Sequence, residues 1–220
     1  MAMFRMILFT QWKWSRLAVL LGTLAAFLLP ILSVQHAGSR EVTPWEARML
    51  LTSIQSWSVL YPTLATAIAL TLALMAWSAD HRGRHVYALS LPVPRWHYAL
   101  QRFGAGAVLL IPPAIALLIG ALVAAALATI PHGLQTYPVA LAARFALAMA
   151  VAYAVFFAIS AGTTRTAGYV LSIVGGIIVV QILTAAAGLD VHLIPFIGDR
   201  LLLWPGPLEI FSGRWMLIDV

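Results

Sequence analysis

The sequence predicts an all-α fold: a polytopic helical bundle in a membrane, with five transmembrane helices, an N-terminal interfacial helix and short outer-face helices after the fifth span. The chain has 220 residues, of which 62% are hydrophobic and 9% charged, and its mean hydropathy is +0.95. A soluble domain is about half apolar and about a quarter charged, so this composition is too apolar for a water-facing surface. The apolar residues also form five runs near the length of roughly 20 residues that crosses a bilayer core of about 30 Å. These observations exclude a cytosolic enzyme and a disordered chain, and the lack of cysteine excludes a disulfide scaffold.

Residues 1–16 precede the first apolar run and mix apolar, aromatic and basic side chains. This mixture predicts a helix that lies in the headgroup plane, with Trp12, Lys13, Trp14 and Arg16 at the membrane interface. The alternative is that the first span begins early and that these residues form its aromatic belt. A cleaved signal peptide is disfavoured, because the apolar run of about 18 residues that follows exceeds the usual h-region of roughly 7 to 15.

Five spans follow from the apolar runs, with loop 78–102 between the second and the third. The spans cover about 17–34, 56–77, 103–129, 139–160 and 169–188. In the second span, Tyr61 and Trp77 suit the two membrane interfaces. In the third, Pro112 and Pro113 predict a kink, because proline removes a backbone donor and clashes with the preceding turn.

Residues 189–220 contain proline or charge too often for another span, since their backbone polar groups would be unsatisfied in lipid. The interrupting residues are Asp190, Pro195, Asp199, Arg200, Pro205, Pro207 and Glu209. We therefore expect short helices at the outer face, in a re-entrant or interfacial arrangement. Trp204 and Trp215 would lie at headgroup depth with their indole N–H groups in water.

The distribution of cations predicts a cytoplasmic N-terminus, because cytoplasmic segments hold an excess of Lys and Arg. In this orientation eight cations are cytoplasmic, namely Arg5, Lys13, Arg16, Arg82, Arg84, Arg95, Arg102 and Arg165, and five are external, namely Arg40, Arg48, Arg144, Arg200 and Arg214. The contrast is sharpest between loop 78–102, with four cations, and loop 130–138, with none.

The spans lack residues for catalysis. The one lysine, Lys13, follows no glycine-rich loop, so the chain contains no P-loop and any ATP must be hydrolysed by a partner. The seven acidic residues fall in loops or at interfaces, which disfavours a proton relay or an ion-coupled carrier. His81 and His85 are four residues apart, but no acid follows His81 as it does in a zinc protease. We expect neither a catalytic residue nor a metal site.

Small residues recur every four positions in two spans. The fourth span has Ala142, Ala146, Ala150, Ala154, Ala158 and Gly162, and the third has Ala116, Gly120, Ala124 and Ala128. Small residues at this spacing let helix backbones approach closely, so we expect helix-packing contacts along both rows. The alternative is that an alanine-rich composition produces the rows by chance. The pattern leaves open whether the contacts form within one chain or between two.

Polar side chains are few within the spans, and two interpretations of them stay open. They are Thr63, Thr66, Thr71, Tyr153, Ser172, Gln181 and Thr184. They would line a path for an amphipathic or lipid-like cargo, or they would hydrogen-bond to their own or neighbouring helices. We consider the second interpretation the stronger, because hydroxyl side chains in spans commonly bond to the helix backbone.

The loop after the second span has the most informative pattern. It reads Asp80-His81-Arg82-Gly83-Arg84-His85-Val86-Tyr87-Ala88-Leu89-Ser90-Leu91-Pro92-Val93-Pro94-Arg95. An acid just after a span, a glycine three residues later and apolar residues that run into Leu-Pro-x-x-Arg resemble the first intracellular loop of the permease subunits of type-2 ABC transporters. Together with the basic N-terminus and the first two spans, the resemblance covers about the first 105 residues.

The resemblance implies the permease subunit of an ABC exporter in a bacterial inner (plasma) membrane. The chain would pair with itself or with a second permease, contact membrane lipid, and bind a cytoplasmic ABC ATPase that holds ATP and Mg. The chain itself would bind no cofactor and no nucleic acid. The coupling helix would lie within residues 80–89, and Arg102 would help anchor the return to the third span. The residues implied in ATPase coupling are Asp80, Arg82, Gly83, Arg84, Leu89, Pro92 and Arg95.

Two features depart from the family pattern. Arg84 stands where the family more often has a small hydroxyl residue, and a sixth span, usual in the family, is not evident. Either the natural chain continues beyond Val220 into that span, or it is a divergent five-span member. Because the residues after Gly188 resemble the family's outer re-entrant segment, we expect the continuation. Two other functions stay open, a non-transporting membrane scaffold of a larger complex and a cytochrome c maturation type permease. A membrane-embedded enzyme is disfavoured for want of paired catalytic groups.

Overall fold

Helices account for most of the chain that the structure describes. The computed structural model describes residues 2–34, 57–82, 94–128, 134–161, 169, 172–173, 176–177, 179–181, 183–184, 193–203, 206, 208–212 and 215–219. The helices are α1 (Ala2–Val34), α2 (Leu60–Arg82), α3 (Arg95–Val108), α4 (Ile111–Leu127), α5 (Pro138–Ala161), α6 (Leu193–Leu202) and a 3₁₀ helix (Glu209–Phe211). Two short strands, β1 (Gln135–Thr136) and β2 (Ile218–Asp219), pair antiparallel.

Four helical segments of the described chain are long and apolar enough to cross a membrane. They are Met3–Val34, Leu60–Ser78, Arg95–Leu127 and Pro138–Ala161. They correspond to the first four predicted spans. Their length and apolar composition are those of the helices of an all-α integral membrane protein. Half of the predicted fifth span, 169–188, lies outside the described residues. Its described residues between 169 and 184 are all helical.

Helix α1 joins the N-terminal segment to the first span without a break. Its 33 residues make a helix of about 50 Å at 1.5 Å per residue, whereas the bilayer core is about 30 Å thick. Residues 2–16 and 17–34 are therefore one element of secondary structure. A location of residues 2–16 in the headgroup plane stays a prediction.

The predicted third span consists of two helices, because the chain turns at Leu109 and Leu110. We call this two-residue turn the elbow. The amide of Leu109 donates to the carbonyl of Gly106 (3.0 Å) and that of Leu110 to the carbonyl of Ala107 (3.1 Å), so the last turn of α3 tightens to i−3 bonding. The structure thus has, in place of a kink at Pro112 and Pro113, an interruption of the helix just before them. Both prolines fall in the first turn of α4, where the missing N–H would have no helical partner.

The described parts of residues 1–157 and 214–220 form one structural unit. In it α4 packs along α1, and the backbones approach closely where Gly120 of α4 faces the carbonyl of Phe27. Helix α5 presents both large and small side chains to the unit's interior. Its buried residues include Leu141, Phe145, Ala148, Met149, Ala152, Tyr153 and Phe157.

Large apolar side chains also cover the outer faces of the spans. Exposed examples are Leu20, Leu24, Ile115, Ile119 and Leu147. An exposed apolar surface on this scale would aggregate in water, but it is the ordinary surface of a helix in lipid. The core of the unit and its lipid-facing surface are therefore both apolar.

A second structural unit comprises residues 158–213. Its helix α6 has ten residues, about 15 Å, which is too short to cross a bilayer. The chain turns back after α6, since the amide of Leu208 donates to the carbonyl of Leu201 (2.8 Å) just before the 3₁₀ helix. These are the described helices in the region where we predict short outer-face helices, and their location at the outer face stays a prediction.

The strand pair joins distant parts of the first unit. Gln135 pairs with Asp219 and Thr136 with Ile218, and the amide of Tyr137 donates to the carbonyl of Leu217 (2.9 Å). Residues 215–219 therefore lie at the same end of the bundle as the start of α5. We call this end the strand end.

Candidate functional site

The opposite end of the bundle contains a buried arginine. This end holds the last turns of α2 and the start of α3, and residues 83–93 connect those two helices, so we call it the loop end. Arg102 lies on α3 and is only 8% exposed. A charged side chain this deep in an apolar bundle needs partners, because moving a charge out of water is costly. Its partners define the candidate site.

The side chain of Arg102 joins α3 to α2. Its Nη1 donates to the backbone carbonyl of Ala76. The guanidinium carbon lies 5.3 Å from the centre of the Trp77 ring and 4.9 Å from that of the Tyr98 ring. Tyr98 precedes Arg102 by four residues and so shares its face of α3. Cation–π contacts of this kind are worth about 0.5 kcal/mol when exposed and about 2 kcal/mol when desolvated, as they are here.

The backbone of Arg102 joins α3 to α1. The side-chain amide of Gln11 donates to the carbonyl oxygen of Arg102 at 3.2 Å, and this contact is buried. The hydroxyl of Ser15 in turn donates to the carbonyl of Gln11 at 2.6 Å. Gln11 is 8% exposed and Ser15 is 1% exposed. One residue of α3 is therefore bonded to both neighbouring helices.

Aromatic side chains join the same end of the bundle to α5. The Phe103 ring lies 5.3 Å from the rings of both Tyr153 and Phe157, and Phe157 lies 5.2 Å from Trp77. The hydroxyl of Tyr153 donates to the carbonyl of Phe103 at 3.3 Å. Gly106 lies against that hydroxyl so closely that a Cβ atom would overlap it. The site thus connects α1, α2, α3 and α5.

The chemistry of this cluster is that of a joint between helices. Among the described residues, no group of three His, Asp or Glu side chains is placed to hold a metal ion. The guanidinium offers hydrogen-bond donors and no acceptor. What it does is hold one turn of α3 against one turn of α2 through a charged hydrogen bond and two ring contacts.

Three of the seven residues implied in ATPase coupling lie in the ends of the two helices that Arg102 joins. Asp80 and Arg82 are in the last turn of α2, and Arg95 is the first residue of α3 and is exposed. Gly83, Arg84, Leu89 and Pro92 lie outside the described residues. The structure thus places the two helix ends that flank the predicted coupling segment, and their joint is Arg102.

The predicted packing row of α4 lies in a helix contact. Ala116 is 8% exposed, Ala124 is 2% exposed and Gly120, between them, is buried against α1. These three residues are separated by two steps of four residues each, which is too short a stretch for the row to drift off one side of the helix. Here small residues do let two backbones approach.

The longer row of α5 does not stay on one face. Ala142 is buried and Ala146 is half-buried, but Ala150, Ala154 and Ala158 are exposed, and Gly162 lies outside the described residues. A step of four residues advances about 40° beyond a full turn, so the row drifts by about 160° from its first alanine to Ala158. The exposed three therefore make no close packing contact within the described part of this chain. A contact between two chains along them stays a prediction.

The residues expected at membrane interfaces divide into an exposed group and a buried group. Trp12, Lys13, Trp14 and Arg16 are exposed on α1, as interface residues require. Tyr61 and Trp77, by contrast, are 1% and 6% exposed and point into the bundle. Both are used in contacts between helices, and their depth at the two membrane interfaces stays a prediction.

Trp215 is likewise buried, at 1% exposure, and its indole nitrogen is buried with it. The expectation that its N–H stays in water is therefore wrong. Its ring stacks on Tyr61 with centres 6.4 Å apart, and the guanidinium of Arg144 lies 4.9 Å from its centre. The Tyr61 hydroxyl lies 3.1 Å from that of Ser33. These contacts join α1, α2, α5 and the chain end at the strand end; Trp204 lies outside the described residues.

Four threonine hydroxyls in the described spans donate to carbonyls of their own helices, whereas that of Thr23 in α1 is buried without a hydrogen-bond partner among the described residues. Thr63 donates to the carbonyl of Val59 (2.8 Å), Thr66 to that of Pro62 (2.7 Å) and Thr71 to that of Ala67 (2.7 Å), all in or next to α2. Thr184 donates to the carbonyl of Val180 (2.9 Å). These bonds support hydrogen bonding within the helix over a polar path through the membrane.

The sequence alone predicts Arg102 only as an anchor beside the membrane. A signal for more was available, because Tyr98 and Arg102 are four residues apart within a helix that continues into an apolar run. The contacts of Gln11 and Trp77 had no such signal, since they lie 91 and 25 residues away along the chain.

No protein-family model, no curated protein and no solved structure matches this chain.

Proposed function

We propose that this chain is the transmembrane permease subunit of an ABC exporter. It pairs with itself or with a second permease, and it moves its substrate with energy from a separate cytoplasmic ATPase. Residues 80–95 form the coupling loop that rests on this ATPase. The chain supplies helices and a docking surface, and the partner supplies ATP, Mg and the hydrolytic residues.

The observation that supports the proposal is the contact between the two helices that carry that loop, which we call its stems: the end of α2 and the start of α3. The loop leaves α2 after Arg82 and enters α3 at Arg95, and Arg102 holds these helices together one and two turns inside the ends. A loop that receives force from a partner must be attached to the spans by a firm joint. The joint reaches α1 and α5 as well, so a displacement of the loop is passed to four helices.

Charge at the stems fits the same function. Arg82 ends α2, Arg95 begins α3 and is exposed, and Arg84 follows shortly after Arg82 in the sequence. Cations beside the membrane favour a cytoplasmic location, and they suit a partner surface with carboxylates or adjacent lipid phosphates.

Affinity purification of the full chain from its own membranes at its native expression level tests the proposal. We expect a P-loop ATPase to copurify in an amount about equal to that of the chain, since each permease binds one ATPase subunit. Replacing Arg82 and Arg84 by glutamate should lower the ATPase recovered by about tenfold or more, because the reversed charges oppose the partner surface.

The matched control reverses two arginines in the loop between the first two spans, Arg40→Glu and Arg48→Glu. That loop is predicted to be external, so this variant should recover the ATPase as the unchanged chain does. Purification of a stable complex without any P-loop ATPase contradicts the proposal and favours the membrane scaffold. Equal recovery from both double variants contradicts the role of the loop.

A further inference from the structure

We infer that Arg102 is the positioning residue of the coupling loop: it fixes the angle of α3 to α2 and thereby the place of residues 83–93 at the ATPase. Only the placement of residues 83–93 at the ATPase rests on the proposed function. The fixed angle between α2 and α3 is a property of this chain alone.

The first step is that the elbow weakens the link between α3 and α4. Pro112 and Pro113 provide no N–H for the carbonyls of Val108 and Leu109, so two of the bonds that would make α3 continuous with α4 are missing. Kinks in helices form where such bonds are lost. Side-chain contacts along α3 therefore take a larger part in setting its angle.

The second step is that Arg102 supplies contacts in two directions. Its guanidinium bonds to α2 at Ala76 and lies beside the Trp77 ring, while its backbone carbonyl accepts from Gln11 of α1. These contacts are buried, where a charged hydrogen bond is stronger than in water. Arg102 is 8% exposed, so the contacts exclude most of the solvent that would weaken them.

The third step is that the chemistry requires arginine in particular. A guanidinium is planar, so it donates in its plane while it presents its faces to rings such as those of Trp77 and Tyr98. A lysine ammonium at this position keeps the charge and one donor but loses the flat faces. A methionine of similar length keeps the packing and loses both the charge and the donors. The two variants therefore separate packing from positioning.

The consequence concerns the loop. Its stems, α2 and α3, are joined at Ala76 and Arg102, so the span that the eleven residues 83–93 must bridge is constant. With the joint broken, α3 pivots at the elbow and the loop samples several positions. A partner that fits one position then binds less often, by the fraction of time that this position is occupied.

Distance measurement between two spin labels tests the positioning directly. The chain has no cysteine, so cysteines introduced at Leu74 of α2 and Trp96 of α3, which are 55% and 61% exposed, are the only labelling sites. The labelled full chain is placed in bilayers of phosphatidylethanolamine and phosphatidylglycerol. We expect one narrow distance distribution for the unchanged residue, a broad or two-peaked one for Arg102→Met, and an intermediate one for Arg102→Lys.

The matched control is Arg144→Met. Arg144 also stacks over an indole ring, that of Trp215, but at the strand end, so its loss should leave the distribution from Leu74 to Trp96 narrow. Thermal melting of each variant in detergent accompanies the measurement. If Arg102→Met does not fold, the distance distributions of Arg102→Lys and Arg144→Met are compared instead, and a broader distribution in Arg102→Lys supports the inference. A narrow, unshifted distribution in both Arg102 variants overturns the inference.

ATPase recovery separates this inference from the proposed function. We expect Arg102→Met to recover about tenfold less ATPase than the unchanged chain, as loss of a hydrogen bond from a charged group implies. A broad distribution with undiminished recovery overturns the role in loop placement. If the unchanged chain recovers no ATPase, the proposed function fails while the distance result still decides whether Arg102 fixes α3.

Discussion

Gly120 of α4 lies against the backbone carbonyl of Phe27 of α1, at a point where an added Cβ atom would overlap the carbonyl oxygen. The obstacle is backbone, which is unable to rotate away as a side chain does. We predict that Gly120→Ala lowers stability by roughly 1 to 3 kcal/mol, the usual cost of overpacking, although alanine is the better helix former. Thermal melting of the purified chain in detergent measures the change.

The control for that prediction is Gly198→Ala in α6, where an added Cβ atom has no neighbour within 4 Å. This variant should melt at the same temperature as the unchanged chain or slightly above it, by the gain in helix propensity. Melting curves of Gly120→Ala that match those of Gly198→Ala would show that α1 and α4 are not in close contact.

The face of α5 that packs inside the chain gives a second prediction. Ala148 is fully buried, whereas Ala150 is exposed. We predict that Ala148→Leu lowers stability by roughly 1 to 3 kcal/mol because its added carbons have no space, and that Ala150→Leu changes it by less than about 0.5 kcal/mol, as surface substitutions do. The same detergent melting series compares the two.

The exposed alanines of α5 have a separate readout. If they pair two chains, Ala150→Leu should shift the oligomeric state seen by light scattering without changing the melting of the separated chain. Equal effects of Ala148→Leu and Ala150→Leu on melting would contradict the assignment of the buried face.

At the strand end, Trp215 supplies a third prediction. It is 1% exposed and stacks on Tyr61, so Trp215→Ala should lower stability by about 3 to 5 kcal/mol, as expected when a large buried ring is removed. Trp14→Ala is the control, because Trp14 is 52% exposed. Similar losses of stability in the two variants, measured by chemical denaturation in detergent, would refute the burial of Trp215 by the bundle.

Much of the fold is predictable from the sequence because helices and hydropathy are local properties. The apolar runs gave the helices that the structure has for the first four spans, and Pro112 and Pro113 marked the place where one of them is interrupted. Proline acts on its own turn of the chain, so its effect is visible without any knowledge of neighbouring helices.

The orientation of each helix about its axis was not predictable. In water, polarity tells the outer face from the inner, but in a membrane both faces are apolar. Hydropathy therefore gives no sign that Tyr61 and Trp77 are buried between helices. The row from Ala142 to Ala158 leaves the buried face of α5 for a geometric reason, since steps of four drift around a helix of 3.6 residues per turn.

The candidate site was only partly predictable for the same reason. Arg95 and Arg102 were recognised as cations beside a loop, which is a matter of composition. The joint itself needs Gln11, Trp77 and Arg102 from three helices to meet, and such contacts depend on how the helices pack.

A photo-crosslinking amino acid placed at Ser90 tests the central claim most directly. The account predicts that illumination of intact cells joins the full chain to a P-loop ATPase from Ser90, at the cytoplasmic face, and that the same probe at Gln135, exposed at the strand end, gives no such product. Mass spectrometry of the crosslinked band identifies the partner. An ATPase adduct from Gln135 in place of Ser90, or adducts from Ser90 that contain no ATPase while the chain is folded and in the membrane, would contradict the account.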